Sequence, residues 1–205
     1  MATPYPSGHI NTAIVIGLDT LPGLQTARIL VRHGIPVIAI ASNPNHHCCR
    51  TKICQAIHYA DTRSTEFLGT LHAIAASLAH KAVLYPCLDP AVMIMSEHRR
   101  ELQDQFHLAL VDADTVDLLT NKVRFYSYAQ AHKLPIPKTL FLRERADVAR
   151  AAAELECPVV LKPSVRLPLW DRNTQSKAFK IATAWFLSCS ASASAALARS
   201  YAERP

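Results

Sequence analysis

The stretch AIVIGLDTLPGLQTARILVRHGIPVIAIAS, residues 13–42, decides the fold. AIVIG (13–17) is a short continuous apolar run ending in glycine, the pattern of a parallel strand covered on both faces. In the segment that follows, Asp19 or Thr20 can cap a helix and Pro22 suits its first turn. Leu24, Ala27 and Val31 recur at three- and four-residue spacing, so one helix face is apolar, and Gly34 ends the helix. PVIAIA (36–41) is a second buried strand.

Outward from this unit the alternation continues. A polar stretch, 42–61, reads as a crossover loop. Ser64 or Thr65 opens a helix whose Phe67, Leu71, Ile74, Ala75 and Leu78 form one stripe. AVLYPC (82–87) is a third strand, residues 90–104 a helix and HLALV (107–111) a fourth strand. This order predicts an α/β domain over 1–111: a Rossmann-like parallel sheet with helices on both faces.

A second unit with a different signature is expected from Asp112 to residue 181. A helix over 114–132 carries Val116, Leu119, Val123 and Tyr126 on one side. LPIPKTLFL (134–142) follows, two prolines fixing a turn into a strand. A helix over 144–155, the strand VVLKP (159–163) and a further strand in KAFKIAT (177–183) complete it. From Ala182 to Pro205, 13 of 24 residues are Ala or Ser, and neither a strand period nor a strong helical signal runs through that tail.

Composition excludes several classes. Half the residues are apolar and 19% are charged, as in globular domains. No apolar run approaches the roughly 18 residues of a membrane span, and MATPYPSGHI lacks the basic and apolar regions of a secretory signal. The six cysteines are scattered, with Cys87 and Cys157 in apolar segments, which reads as reduced, buried thiols in a cytoplasmic protein. The net charge is +6, but the basic residues are dispersed and not interleaved with aromatics. Neither a nucleic-acid nor a membrane partner is expected.

Three constellations bear on chemistry. Gly17 and Gly23 frame the strand-to-helix turn GLDTLPG, whose amides suit an anion. The spacing is not GxGxxG, Asp19 would repel a pyrophosphate, and Ser42 stands where a dinucleotide fold closes strand 2 with an acid. A structural turn is the stronger reading, and a dinucleotide-dependent oxidoreductase is disfavoured. Second, His46, His47, Cys48, Cys49, Cys54 and His58 are zinc-type ligands, but their spacing matches no paired C-x2-C site. They read as a crossover loop, and no metal ligand is assigned. Third, Lys122 lies at the edge of the 114–132 stripe, and Lys162 ends an apolar strand, where it needs a snorkelling route or an anionic partner. By spacing alone both read as edge-exposed lysines; converging, they would clamp phosphate oxygens.

Read together, residues 120–164 resemble the ATP-grasp superfamily. Asn121-Lys122, Pro135-Ile136-Pro137-Lys138-Thr139 and Pro158-Val159-Val160-Leu161-Lys162-Pro163 occur in that family's order. The upstream region is similar to the domain that precedes the ATP-grasp unit in carboxylate–amine ligases of the D-aspartate-ligase and carbamoyl-phosphate-synthase type. The resemblance implies a Rossmann-like pre-ATP-grasp domain followed by a partial α+β ATP-grasp N-terminal subdomain. It implies binding of ATP with Mg²⁺, phosphorylation of a carboxylate, and attack by an amine on the acyl phosphate. Lys122 matches the helix lysine on the ATP phosphates and Lys162 the KP lysine; more loosely, Arg166, Arg172 and Lys177 would cover the triphosphate.

The sequence also departs from that family. No glycine follows Gly69, and after Asp171 the only acidic residue is Glu203. The hard oxygen ligands that Mg²⁺ requires are therefore missing downstream. The expectation is a chain cut short near residue 183, inactive alone and completed by a missing C-terminal half or a second chain. The alternative is a non-catalytic nucleotide- or ligand-binding module of the doubly wound class.

Overall fold

The computed structural model describes residues 11–163 and 178–183. The chain divides into two compact units, Met1–Thr120 and Asn121–Pro205.

In the first unit, β1 (Ala13–Ile16) pairs in parallel with β2 (Val37–Ala41) on one side and β4 (Ala82–Pro86) on the other. β3 (Ala56–Tyr59) extends the sheet beyond β2, and β5 (Phe106–Leu108) extends it beyond β4, again in parallel. The order β3-β2-β1-β4-β5 is that of a doubly wound fold. The expected α/β architecture is present, with one correction: β3 lies inside the stretch read as a crossover loop. Its residues are only partly buried, so AIHY carries neither the continuous apolar run of a central strand nor a clean alternation.

Strand alternation divides the core between the two faces of the sheet. Ile14, Ile16, Ile38, Ile40 and Leu84 pack with Phe67, Leu71 and Ile74 of α2 (Glu66–Ser77). Met95 of α3 (Asp89–Glu97) and Leu102 of α4 (Arg99–Gln105) join the same cluster. Full burial stabilises each such side chain by roughly 1.5–3 kcal/mol. The opposite face is smaller: Ala13, Val15, Val37, Ala39 and Ala41 receive Leu24, Ala27 and Leu30 of α1 (Leu21–Arg32). Small side chains on that face allow α1 to lie close to the sheet. Thr20 caps α1 as expected, its hydroxyl accepting the N–H of Gly23 at 3.0 Å. Gly34 takes φ +75° just past the helix end.

Two expected helices are each broken in two. The 90–104 helix becomes α3 and α4, separated at His98. The 114–132 helix becomes α5 (Ala113–Thr120) and α6 (Lys122–Ala131). At the second break Asn121 leaves helical geometry and uses its side chain to cap α6. The proposed apolar stripe is interrupted accordingly: Val116 is buried, but Leu119 is 58% exposed. Asp112 accepts the N–H and hydroxyl of Thr115 at 2.9 and 2.8 Å, which opens α5 and holds the Asp112 carboxyl below its ordinary range.

The cysteine expectation also changes. Cys48 and Cys49 are the buried thiols, whereas Cys54, Cys87 and Cys157 are half-buried; all five are free. No described helix is long and apolar enough to cross a membrane.

Candidate functional site

In a doubly wound sheet, ligands bind beyond the carboxyl ends of the strands, where the strand order reverses. Here that point is the β1–α1 turn, and the chain's own acceptors fill it. Gly17 and Leu18 donate their N–H groups to the carbonyl of Ile40 at 2.8 and 3.0 Å, and Thr20 N–H goes to Gly17 O at 3.1 Å. The carboxylate of Asp19 accepts the N–H groups of Ser42 and Asn43 at 3.1 and 2.9 Å, tying the turn to the end of β2. Beside it the Ser42 hydroxyl meets Thr62 Oγ1 at 2.8 Å and accepts the Thr62 N–H at 3.0 Å. The structural reading of GLDTLPG therefore stands, and Asp19 has a role that sequence reasoning missed. Near this edge, burial is the main cause that pushes the Cys49, Cys54 and Cys87 thiols up.

The second unit holds the lysines singled out in the sequence. Asn121 Oδ1 accepts the N–H groups of Val123 and Arg124 at 3.1 and 3.2 Å, which sets Lys122 at the first position of α6. Lys122 is exposed there, adding charge to the positive end of the helix dipole. After α6, Lys133 takes φ 53° and Leu134 N–H returns to Ala129 O at 2.8 Å. Residues 134–142 then run without forming a strand, against expectation. Pro135 and Pro137 offer no N–H to a ladder, and Gln130 and Thr139 hold the segment through side chains: Gln130 Nε2 donates to Thr139 O, and Thr139 Oγ1 to Pro137 O, both at 2.8 Å.

This segment nevertheless delivers Leu140 and Leu142 to a small core with Val148 and Ala151 of α7 (Arg145–Glu154). The core continues into β6 (Val159–Leu161) and β7 (Phe179–Ile181), an antiparallel pair in which Val159 faces Ile181 and Val160 faces Lys180. α7 opens with a capping box: Asp147 accepts the N–H groups of Arg143 and Glu144 at 2.8 and 3.1 Å. Those two bonds, and secondarily Arg150 and Arg143, hold the Asp147 carboxyl below its ordinary range.

Lys162 follows β6 directly and is exposed. The strand period puts it on the face of Val160, which is 60% exposed, and of Lys180. Lys180 escaped sequence reasoning, because only the pairing of VVLKP with AFKI brings it beside that face. Neither Lys122 nor Lys162 has an ion-pair partner among the described residues, whereas Lys138 is committed to the Glu154 carbonyl at 2.7 Å. Lys177, Arg166 and Arg172 lie outside the described residues, as does the tail beyond residue 183.

Solved structures share this arrangement. An N5-carboxyaminoimidazole ribonucleotide synthetase in its ADP complex matches with a TM-score of 0.64 over 93% of this chain and 45% of its own, at 14% identity. The likeness is one of fold, and it covers less than half of the synthetase. An L-amino acid ligase from Bacillus licheniformis shares the fold at TM-score 0.58, with 14% identity over 88% of this chain and 41% of that one. In sequence, the D-aspartate ligase of Enterococcus faecium (strain Aus0004) is 38% identical over 87 residues, 41% of this chain and 21% of the ligase. The chain thus spans under half the length of these proteins. No family model matches the chain.

Proposed function

We propose that this chain is the N-terminal part of an ATP-dependent ligase that activates a carboxylate as an acyl phosphate for attack by an amine. The observation that carries the reading is the pair Lys122 and Lys162: both exposed, and both without an ionic partner among the described residues of one small unit. Cations left unpaired in a fold shared with an ADP-bound synthetase suit phosphate oxygens. Lys180, on the Lys162 face, adds to that charge, and Lys177 is assigned to the triphosphate by the family resemblance.

The described residues do not supply the magnesium half. Among the described residues no cluster of carboxylates converges, and Asp147 is spent on its helix cap and on Arg150. No catalytic step through Mg²⁺ is assigned to this chain; its hard oxygen ligands belong to a further segment or a second chain. On this reading residues 112–181 act as the nucleotide-binding portion of a soluble cytoplasmic enzyme with small-molecule partners.

Two measurements test the proposal. Equilibrium dialysis with ATP should show binding that Lys122→Ala and Lys162→Ala weaken. ADP release should be assayed with carboxylates and amines, beginning with D-aspartate and L-amino acids, the substrates in the names of the matched ligases. The expected result is no turnover by this chain and turnover once the acidic segment is supplied. Turnover by the 205-residue chain alone would overturn the view that the magnesium half lies elsewhere.

A further inference from the structure

The His/Cys loop after β2 is not accounted for by a nucleotide site. Sequence spacing argued against it, because adjacent residues rarely aim at one centre. The fold changes that. Residues His47–Arg50 form a 3-10 turn capped by His46, and this turn brings one ligand atom each from His46, His47 and Cys48 within 4.8 Å of one another. The His46 and His47 rings lie 4.2 Å apart, centroid to centroid, and tilted at 34°, so both imidazoles lean to the same side of the turn.

We propose that His46, His47 and Cys48 form a zinc-binding site at the carboxyl end of the sheet. Two imidazoles and a thiolate are borderline-to-soft donors, a set that favours Zn²⁺ over Mg²⁺ or Ca²⁺. Tetrahedral zinc bonds of about 2.0–2.3 Å require ligand atoms roughly 3.3–3.6 Å apart, so the cluster must tighten by on the order of 1 Å. His47 is exposed and can supply that movement, while Cys48, 1% exposed in the apolar core, fixes one corner. His46 Nδ1 accepts the Cys48 N–H at 3.4 Å. That bond is long, and a cation taking the same lone pair displaces little. Three protein ligands leave the fourth position to water. Binding converts the Cys48 thiol to a thiolate and releases its proton.

The test needs no nucleotide and is separate from the ligase reading. The full chain, stripped of metal, is titrated with Co²⁺ as the probe and then with Zn²⁺ as competitor. One equivalent of Co²⁺ should bind with tetrahedral d–d bands and a thiolate charge-transfer band, and Zn²⁺ should abolish both. His47→Ala, at an exposed position that leaves folding intact, should weaken Co²⁺ binding at least about tenfold, since even loss of a group that only orients a ligand costs that much. Cys48→Ser should remove the charge-transfer band and Cys157→Ser should retain it. Absence of that band in the parent chain, or unchanged affinity in His47→Ala, overturns the proposal. If Cys48→Ser fails to fold, the parent spectrum and His47→Ala still decide.

Discussion

A Cβ placed on Gly23 would lie 2.0 Å from the carbonyl oxygen of Gly17. Helix α1 therefore meets the end of β1 backbone to backbone, and no side chain can yield to make room. Gly23→Ala is expected to cost about 3 kcal/mol or more, the upper range for overpacking. Gly34 is the contrast: nothing lies near its missing Cβ, and only its φ of +75° resists a side chain. Gly34→Ala should cost about 1–2 kcal/mol. Urea unfolding of both variants checks the order, and equal losses would contradict the close approach.

Asn121 carries two bonds at the start of α6. Asn121→Ala should cost about 1 kcal/mol, the usual worth of a helix cap. Hydrogen exchange localises the effect: the amides of Val123 and Arg124 should lose protection, while those of β1 keep theirs.

The lysines separate binding from stability. Lys122→Ala and Lys162→Ala should each weaken ATP binding by roughly 10- to 100-fold, the worth of about 1.5–3 kcal/mol for a charge-assisted bond. Their unfolding midpoints should hold within about 0.5 kcal/mol, because both side chains are exposed. Lys138→Ala should do the reverse, lowering stability slightly by freeing the Glu154 carbonyl and leaving ATP affinity unchanged. Calorimetric titration together with thermal melts distinguishes the two patterns.

Asp147 gives a pH signature. A carboxyl whose folded pKa is lowered contributes stability that is fully present above its unfolded value near pH 4 and is lost as pH falls through the folded value. Asp147→Asn keeps an acceptor for the cap but removes the titration. Below about pH 4 the parent should lose stability more steeply than the variant. Parallel curves would deny the shift.

Central elements were the most legible in sequence. AIVI and VIAIA are buried on both faces, so their apolar runs are unbroken and read directly as strands. AIHY lies at a sheet edge, where half-burial erases the pattern. The helix breaks at His98 and Asn121 carry neither Pro nor Gly, the usual punctuation, and a capping side chain alone marks the second. In 134–142 the proline pair marks the bend, but no strand follows it, and Thr139 is held instead by side-chain bonds. For the site, Lys122 and Lys162 stood out because each interrupts an apolar context. Lys180 did not, since its relevance depends on strand pairing. The loop histidines and Cys48 were visible as residue types, but their convergence is a product of one 3-10 turn.

β1 is made first, yet it lies in the middle of the sheet. Its second neighbour, β4, begins only after the whole of α2. At ribosomal speeds of about 5–20 residues per second, the roughly 45 residues between the ends of β2 and β4 take about 2–9 s to emerge. Through that interval one edge of Ala13–Ile16 has no partner from its own chain, and four apolar side chains border it. The nascent protein is thus most open to chaperone capture, or to pairing with a neighbouring polypeptide on the same message, well before the second unit is synthesised.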